Sequence, residues 1–251
     1  MALGVLEATN FLFVRALLKK PSAARTLTGR FFRDYMSVVG TDRWQSRSLF
    51  EAFPTQCPIR LTIEHIPGEG IYTAIDELAM LGYITVATDP NKIFEIGTFR
   101  GRTALNFALN SALECQVYTL DLPLDKRAVQ DAYNAADVKI IGASLPGIDY
   151  AGKSEAAKIV QLYGNSLLFD FSPYFGQMDL VFVDGAHHYE ASKSDTANAL
   201  RMVRPGGVII WHDFANYGDY NDVTRAVLEA VPPAEVVQLE NTQLCFWRAP
   251  A

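Results

Sequence analysis

The sequence predicts an α/β fold: a doubly wound, mainly parallel sheet of seven strands that ends in an antiparallel hairpin, with an N-terminal helical region. Three observations predict it. From Lys92 onward, short apolar runs alternate with helical patterns, the order of a parallel sheet covered on both faces. Two of these runs, 179–183 (after its leading Asp179) and 207–211, are continuously apolar, as central parallel strands are. Near the C-terminus, 235–239 and 242–247 read as two strands separated by Glu240-Asn241, a tight-turn pair.

Strands are expected at 92–96, 116–120, 159–162, 179–183 and 207–211, then the two of the hairpin. One helix opens near Thr103. Another covers 190–203 and gives way to the turn Arg204-Pro205-Gly206-Gly207. The excursion 122–158, rich in Pro and Gly, holds a helix around 126–137 and a loop near the sheet edge. Residues 1–90 differ in character. Helical spacing marks Phe11–Lys19, Thr28–Val38 and Ile71–Leu81, with Gly82 expected to stop the last. The chain thus divides into a helical region, 1–90, that serves as a cap or an oligomerisation element, and an α/β domain, 91–251. Phe11, Phe13, Phe31 and Phe32 are the candidates for a homo-oligomer interface.

Bulk properties exclude several classes. With 49% hydrophobic and 20% charged residues, 251 residues suffice for a sizeable core. The formal charge of −6 argues against nucleic acid as the main partner, because phosphate binding needs a basic face. Cys57, Cys115 and Cys245 are odd in number and lack metal-ligand spacing, so reduced thiols and a cytoplasmic location are expected. No apolar run reaches membrane-spanning length. The apolar segment Asn10–Leu18 is interrupted by Arg15 and followed by Lys19 and Lys20, the reverse of a signal peptide.

The stretch 92–121 combines strand, glycine-bearing turn, helix and strand, with Asp121 at the tip of the second strand. In a right-handed βαβ unit the turn and both strand ends meet at one sheet edge. Gly97 and Gly101 would let a ligand approach the backbone there, and Asp121 is an acceptor placed for ribose hydroxyls. Glycines in such turns also serve purely structural ends. The glycine spacing is not the dinucleotide fingerprint, and no phosphate-loop Gly-Lys-Ser/Thr follows. A second constellation follows the strand at 179–183. Asp184, His187 and His188 come just after it, and His212-Asp213 follow the next strand at the same edge. Buried charges are costly unless paired or bound to a metal, so such a cluster points to function.

The pattern Glu95-x-Gly97-x-x-x-Gly101-x-Thr103 resembles the first motif of class I S-adenosylmethionine-dependent methyltransferases. Val-Asp-Gly-Ala-His-His-Tyr-Glu, a helix with Asp195, Arg-Pro-Gly-Gly-Val-Ile-Ile and His-Asp-Phe resemble the bacterial O-methyltransferases that act on sugars and natural products. The resemblance spans 92–247. It implies O-methylation of a small-molecule acceptor. Glu95, Gly97 and Gly101 would flank the amino-acid end of the cofactor, Asp121 the ribose, Asn165 or Ser166 (with Asp170 as a further candidate) the adenine, and Asp184 the same crevice. It implies a catalytic set of His188 or His212 as base, with Asp213. Related families hold Mg2+ at the positions of Asp184 and Asp213, although His212 departs from the all-oxygen set that magnesium prefers. It also suggests a lid near Glu64–Tyr72. An N-methyltransferase, or a non-catalytic nucleoside-binding protein of the same fold, is the alternative.

Overall fold

The computed structural model describes residues 44–64, 73–123, 145–215 and 221–251. The expected helices at 11–19, 28–38 and 126–137, the four N-terminal phenylalanines and the 65–72 part of the lid lie outside them. The described elements are β1 (Gln45–Arg47), α1 (Leu49–Ala52), α2 (Ile75–Thr88), β2 (Lys92–Ile96), α3 (Arg102–Asn110), β3 (Gln116–Asp121), β4 (Ile159–Tyr163), β5 (Met178–Val183), α4 (Tyr189–Met202), β6 (Val203–Trp211), α5 (Asn221–Ala230), β7 (Val237–Leu239) and β8 (Cys245–Arg248).

They form one sheet in the order β1-β7-β8-β6-β5-β2-β3-β4. All neighbours are parallel except that β8 runs antiparallel to both β6 and β7. This is the expected mainly parallel sheet with a terminal hairpin. Asn241, at φ +63°, makes the tight turn between β7 and β8. The sheet has eight strands rather than seven, because Gln45–Arg47 adds to β7 in parallel. All three of its residues are exposed, so no apolar pattern marks it.

Side chains alternate across the sheet with the two-residue period of a strand. Ile93, Leu180, Phe182, Val208 and Ile210 pack on one face with Leu81, Ile84, Leu105 and Phe107 of α2 and α3. Phe94, Ile96, Val181, Val183, Ile209 and Trp211 pack on the other with Ala199, Met202, Val223 and Val227 of α4 and α5. Burial on both faces is why Leu180–Val183 of β5 and Val208–Trp211 of β6 read as unbroken apolar runs.

Two local expectations are corrected. Gly82 does not stop its helix: α2 runs on to Thr88 and ends at Asp89, whose φ is +43°. A Cβ on Gly82 would lie 3.1 Å from the Asn110 amide, so the glycine lets α2 and α3 approach. The turn at 204–207 does not precede β6 but bulges within it. Met178 pairs with Val203 and Leu180 already with Val208.

Candidate active site

The carboxyl ends of β2, β3, β4, β5 and β6 lie side by side, the edge at which open α/β sheets bind ligands. Asp121 ends β3 and ties down the glycine turn. Its carboxylate accepts from the Phe99 and Leu122 amides, each at 2.6 Å. Phe99 holds a left-handed conformation at φ +48°, so the turn is locally strained and the Asp121 bond helps to fix it.

The two turn glycines are used for packing. Gly97 has φ +103°, and a Cβ there would lie 2.0 Å from the Asp184 carbonyl oxygen. Gly101 has φ +88°, and a Cβ there would lie 2.5 Å from the Tyr150 ring. Protein atoms therefore occupy both Cβ positions. What the two positions could offer a ligand is backbone, as expected from their lack of a Cβ, and the glycines also serve the packing of the turn.

Beneath the turn, Glu95 is fully buried. Thr119 donates a short hydrogen bond to Glu95 Oε2, while Oε1 has no partner among the described residues. Burial pushes the Glu95 carboxyl well above its ordinary range, against the Thr119 bond, and the charges of Asp184 and Asp121 add to the rise. On the far side, Asn165 begins a turn after β4, with its side chain accepting from the Leu167 amide at 3.0 Å. Ser166 is half-buried, and Asp170 is exposed and accepts from Ser172 N.

At the ends of β5 and β6 the charged side chains converge. Asp184, His212 and Asp213 each present a ligand atom within 4.8 Å of the others. His212 Nδ1 lies 3.0 Å from Asp213 Oδ2 and 3.3 Å from Asp184 Oδ1, and its Nε2 lies 3.1 Å from Glu77 Oε2. With carboxylates facing both ring nitrogens, His212 is an imidazolium that donates on both sides. Burial alone would lower its pKa, but the charges of Asp184 and Asp213 outweigh this and raise it well above the usual histidine range. Asp213 moves the opposite way. Burial opposes ionisation, but His212 and the hydrogen bond from His187 hold it far below the ordinary carboxylate range. Glu77 is likewise lowered, burial being overcome by its bonds to His212 and to the Gln243 amide.

Glu77 was not among the expected site residues, and His187 was expected in the crevice but not in the catalytic set. Glu77 reaches in from α2, and only its place as an acid beside buried Leu78 could have signalled it. His187, rather than His188, contacts Asp213, with Nε2 3.0 Å from Oδ2. His188 instead precedes the first turn of α4, with its Nδ1 buried and without a partner among the described residues.

A doubly wound sheet with an antiparallel last strand, an acid at the tip of β3 and a charged cluster beyond β5 and β6 make a Rossmann-like fold with its polar side chains gathered at the ligand-binding edge. Residues 94–214 match the family described as a methyltransferase domain. Two solved structures share the fold. The O-methyltransferase TomG from Streptomyces achromogenes, involved in tomaymycin synthesis and bound to S-adenosylmethionine, is 17% identical; the match covers 72% of this chain and 82% of that one with a TM-score of 0.50. The Podospora anserina methyltransferase PaMTH1, bound to S-adenosylhomocysteine, is 16% identical over 72% of this chain and 80% of that one, with a TM-score of 0.52. No curated protein matches the sequence. No helix among the described residues is long and apolar enough to cross a membrane.

Proposed function

We propose that the protein methylates a hydroxyl group of a small molecule, a sugar or natural product, with the proton removed at the His187–Asp213 pair. The observation that carries this reading is the contact between His187 Nε2 and Asp213 Oδ2 at the edge shared with Asp121 and Asp184. An acid that orients an imidazole is the arrangement of a general base. His212 does not suit that task, because carboxylates hold both of its nitrogens.

S-adenosylmethionine, when bound, supplies the methyl group and carries a sulfonium and an ammonium charge. The chain's residues fit such a cation. Glu95, Asp121 and Asp184 stand on adjacent strand ends, and Glu95 Oε1 is a buried carboxyl oxygen without a partner among the described residues, which a ligand's ammonium charge would favour as the ionised acceptor. Asp121 would accept from the ribose hydroxyls, and Asn165 and Ser166 would face the adenine. In-line placement of the acceptor oxygen by the crevice would supply most of the rate.

The cluster does not fit magnesium as it stands. Between Asp184 and Asp213 lies a protonated imidazole, where magnesium calls for oxygen. This imidazolium also relieves the repulsion of the two acids that otherwise argues for a metal. The 4.8 Å grouping favours, as a second reading, a divalent ion that accepts nitrogen, such as manganese, with His212 deprotonated.

Both readings are tested by following S-adenosylhomocysteine formation by mass spectrometry over a panel of hydroxylated acceptors, with and without chelator. Turnover that resists chelator supports the histidine base, and loss restored by manganese supports the metal. Turnover confined to amines would replace O- by N-methylation. Cofactor binding without turnover on any acceptor would make the chain a nucleoside-binding protein.

A further inference from the structure

A line of hydrogen bonds runs from the loop 145–151 across β4, the glycine turn and β3 to Glu95. Its direction follows from donor and acceptor counts. Gln161 Nε2 lies 3.2 Å from the Thr119 carbonyl and 2.9 Å from the Leu162 carbonyl. Carbonyls only accept, so the amide orientation is settled: the nitrogen faces them and Gln161 Oε1 faces Tyr150. The Tyr150 phenol must therefore donate to Gln161. The same nitrogen lies 3.0 Å from Thr98 Oγ1, a third acceptor for its two protons, so one proton is shared between Thr98 and a carbonyl. Thr98 then has its proton to give, and Thr119 Oγ1 lies 2.7 Å away. Thr119 in turn donates to Glu95 Oε2. Every proton points toward Glu95, and the line stops there with Oε1 unpaired among the described residues.

Tyr150 is seated for this part. Its ring fills the places that side chains would take at Gly101 and Gly147, where a Cβ would come within 2.5 Å and 2.3 Å of it. The loop that carries it is clamped to the turn. Asp149 N donates to the Arg100 carbonyl at 2.9 Å, and the Arg100 guanidinium donates to Asp149 Oδ1 at 3.0 Å and 2.7 Å. Burial, with the Glu95 charge next in weight, keeps the phenol protonated and so a donor.

We infer that Tyr150 is a positioning residue for the amino-acid end of the bound cofactor: through Gln161, Thr98 and Thr119 it holds Glu95 with Oε1 turned free to accept the ammonium group. The inference rests on the cofactor reading above. It separates the two ends of the ligand, since the line reaches Glu95 and not Asp121 or the loop after β4.

The test is calorimetry on the full chain with two ligands. S-adenosylhomocysteine carries the amino-acid end, and 5′-methylthioadenosine lacks it. Tyr150→Phe keeps the ring over both glycines and removes one donor. Its affinity for S-adenosylhomocysteine should fall by about threefold to tenfold, the share of one hydrogen bond, while 5′-methylthioadenosine binds as before. Thr119→Val should give the same selective loss and Thr119→Ser should restore it, which carries the test if Tyr150→Phe does not fold. Equal losses for both ligands, or no loss for either, would overturn the inference. A wild-type chain that binds neither ligand would instead overturn the cofactor reading.

Discussion

His212 Nε2 lies 3.1 Å from Glu77 Oε2, so one ion pair fastens helix α2 to the tip of β6 across 135 residues of chain. Both side chains are nearly buried, and Glu77 also accepts from the Gln243 amide at 2.9 Å. Removing Glu77 leaves the His212 Nε2–H and the Gln243 amide without their acceptor while Asp184 and Asp213 still face Nδ1, and an unmet hydrogen bond to a charged group typically costs about 1–3 kcal/mol. Glu77→Ala should therefore lower the stability measured by urea unfolding by an amount of that order. The pH dependence has a definite sign. The folded pKa of His212 is raised, so its contribution is full below about pH 6.5 and is lost as pH rises through the folded value. Glu77 and Asp213 are lowered, so theirs is present above about pH 4–5 and lost as pH falls through their folded values. Wild-type stability from these groups should be greatest between about pH 5 and 6.5, and the Glu77→Ala deficit should shrink toward alkaline pH. A deficit that grows there would contradict an imidazolium at His212.

The base assignment predicts a division among three histidines. His187→Ala should lower turnover by about 10²–10⁴, the usual share of a general base, with cofactor affinity nearly unchanged. His188→Ala should act through α4 and affect stability more than turnover. Steady-state kinetics beside thermal melts separates the two. A larger turnover loss in His188→Ala than in His187→Ala would return the base to His188.

Much of the fold was legible because its strands are buried on both faces. Leu180–Val183 and Val208–Trp211 show as apolar runs without any knowledge of their neighbours. The positions of Asp121, Asp184, His212 and Asp213 were legible for a related reason: parallel strands end on one edge, and each of these residues ends or follows such a strand. What was hidden depends on distant partners. Gln45–Arg47 is a strand only because β7 offers an edge to it. Glu77 is a site residue only because His212 reaches it. Gly97 and Gly101 were visible as glycines, but the sequence does not show that the Asp184 carbonyl and the Tyr150 ring take the space beside them.

Gly97 yields a prediction of its own. A Cβ 2.0 Å from a backbone oxygen has nowhere to move, and φ +103° is a conformation that side chains resist. Gly97→Ala should destabilise the whole domain and not simply weaken ligand binding, with a lower melting temperature in the absence of any ligand. An unchanged melting temperature with lost cofactor affinity would show that the glycine serves the ligand.

Asp121 combines the two roles. Asp121→Ala removes the acceptor for the Phe99 and Leu122 amides and the acceptor proposed for the ribose. Cofactor affinity should fall by about 1–3 kcal/mol, the loss of hydrogen bonds to a charged group. 5′-Methylthioadenosine, which keeps the ribose, should lose affinity as S-adenosylhomocysteine does, unlike the pattern expected for Tyr150→Phe. Affinity for both that survives Asp121→Ala would take Asp121 out of the ribose site.

Asp195 gives the last prediction. It lies on α4, is fully buried, and neither carboxyl oxygen has a hydrogen-bond partner among the described residues. Gly185 packs directly above it, where a Cβ would be 2.9 Å from Oδ2. Burial raises its pKa to about 7, opposed only by Ser166, whose hydroxyl is near enough to favour the anion without a hydrogen bond of ordinary geometry. A raised carboxyl pKa costs stability, and the sign is opposite to that of Asp213. The folded state is unpenalised below the unfolded pKa near 4, loses about 1.4 kcal/mol for each pH unit between there and the folded value, and carries the full cost above it. Asp195→Asn removes the ionisation at nearly constant shape. The variant should therefore gain on the wild type steadily from about pH 4 to 7 and then level off, at a difference on the order of 4 kcal/mol. Urea unfolding across that range reads the slope directly. A flat difference would mean that Asp195 stays charged with a partner such as Ser166, and a wild type that gains on the variant as pH rises would mean that the anion is the form the fold selects.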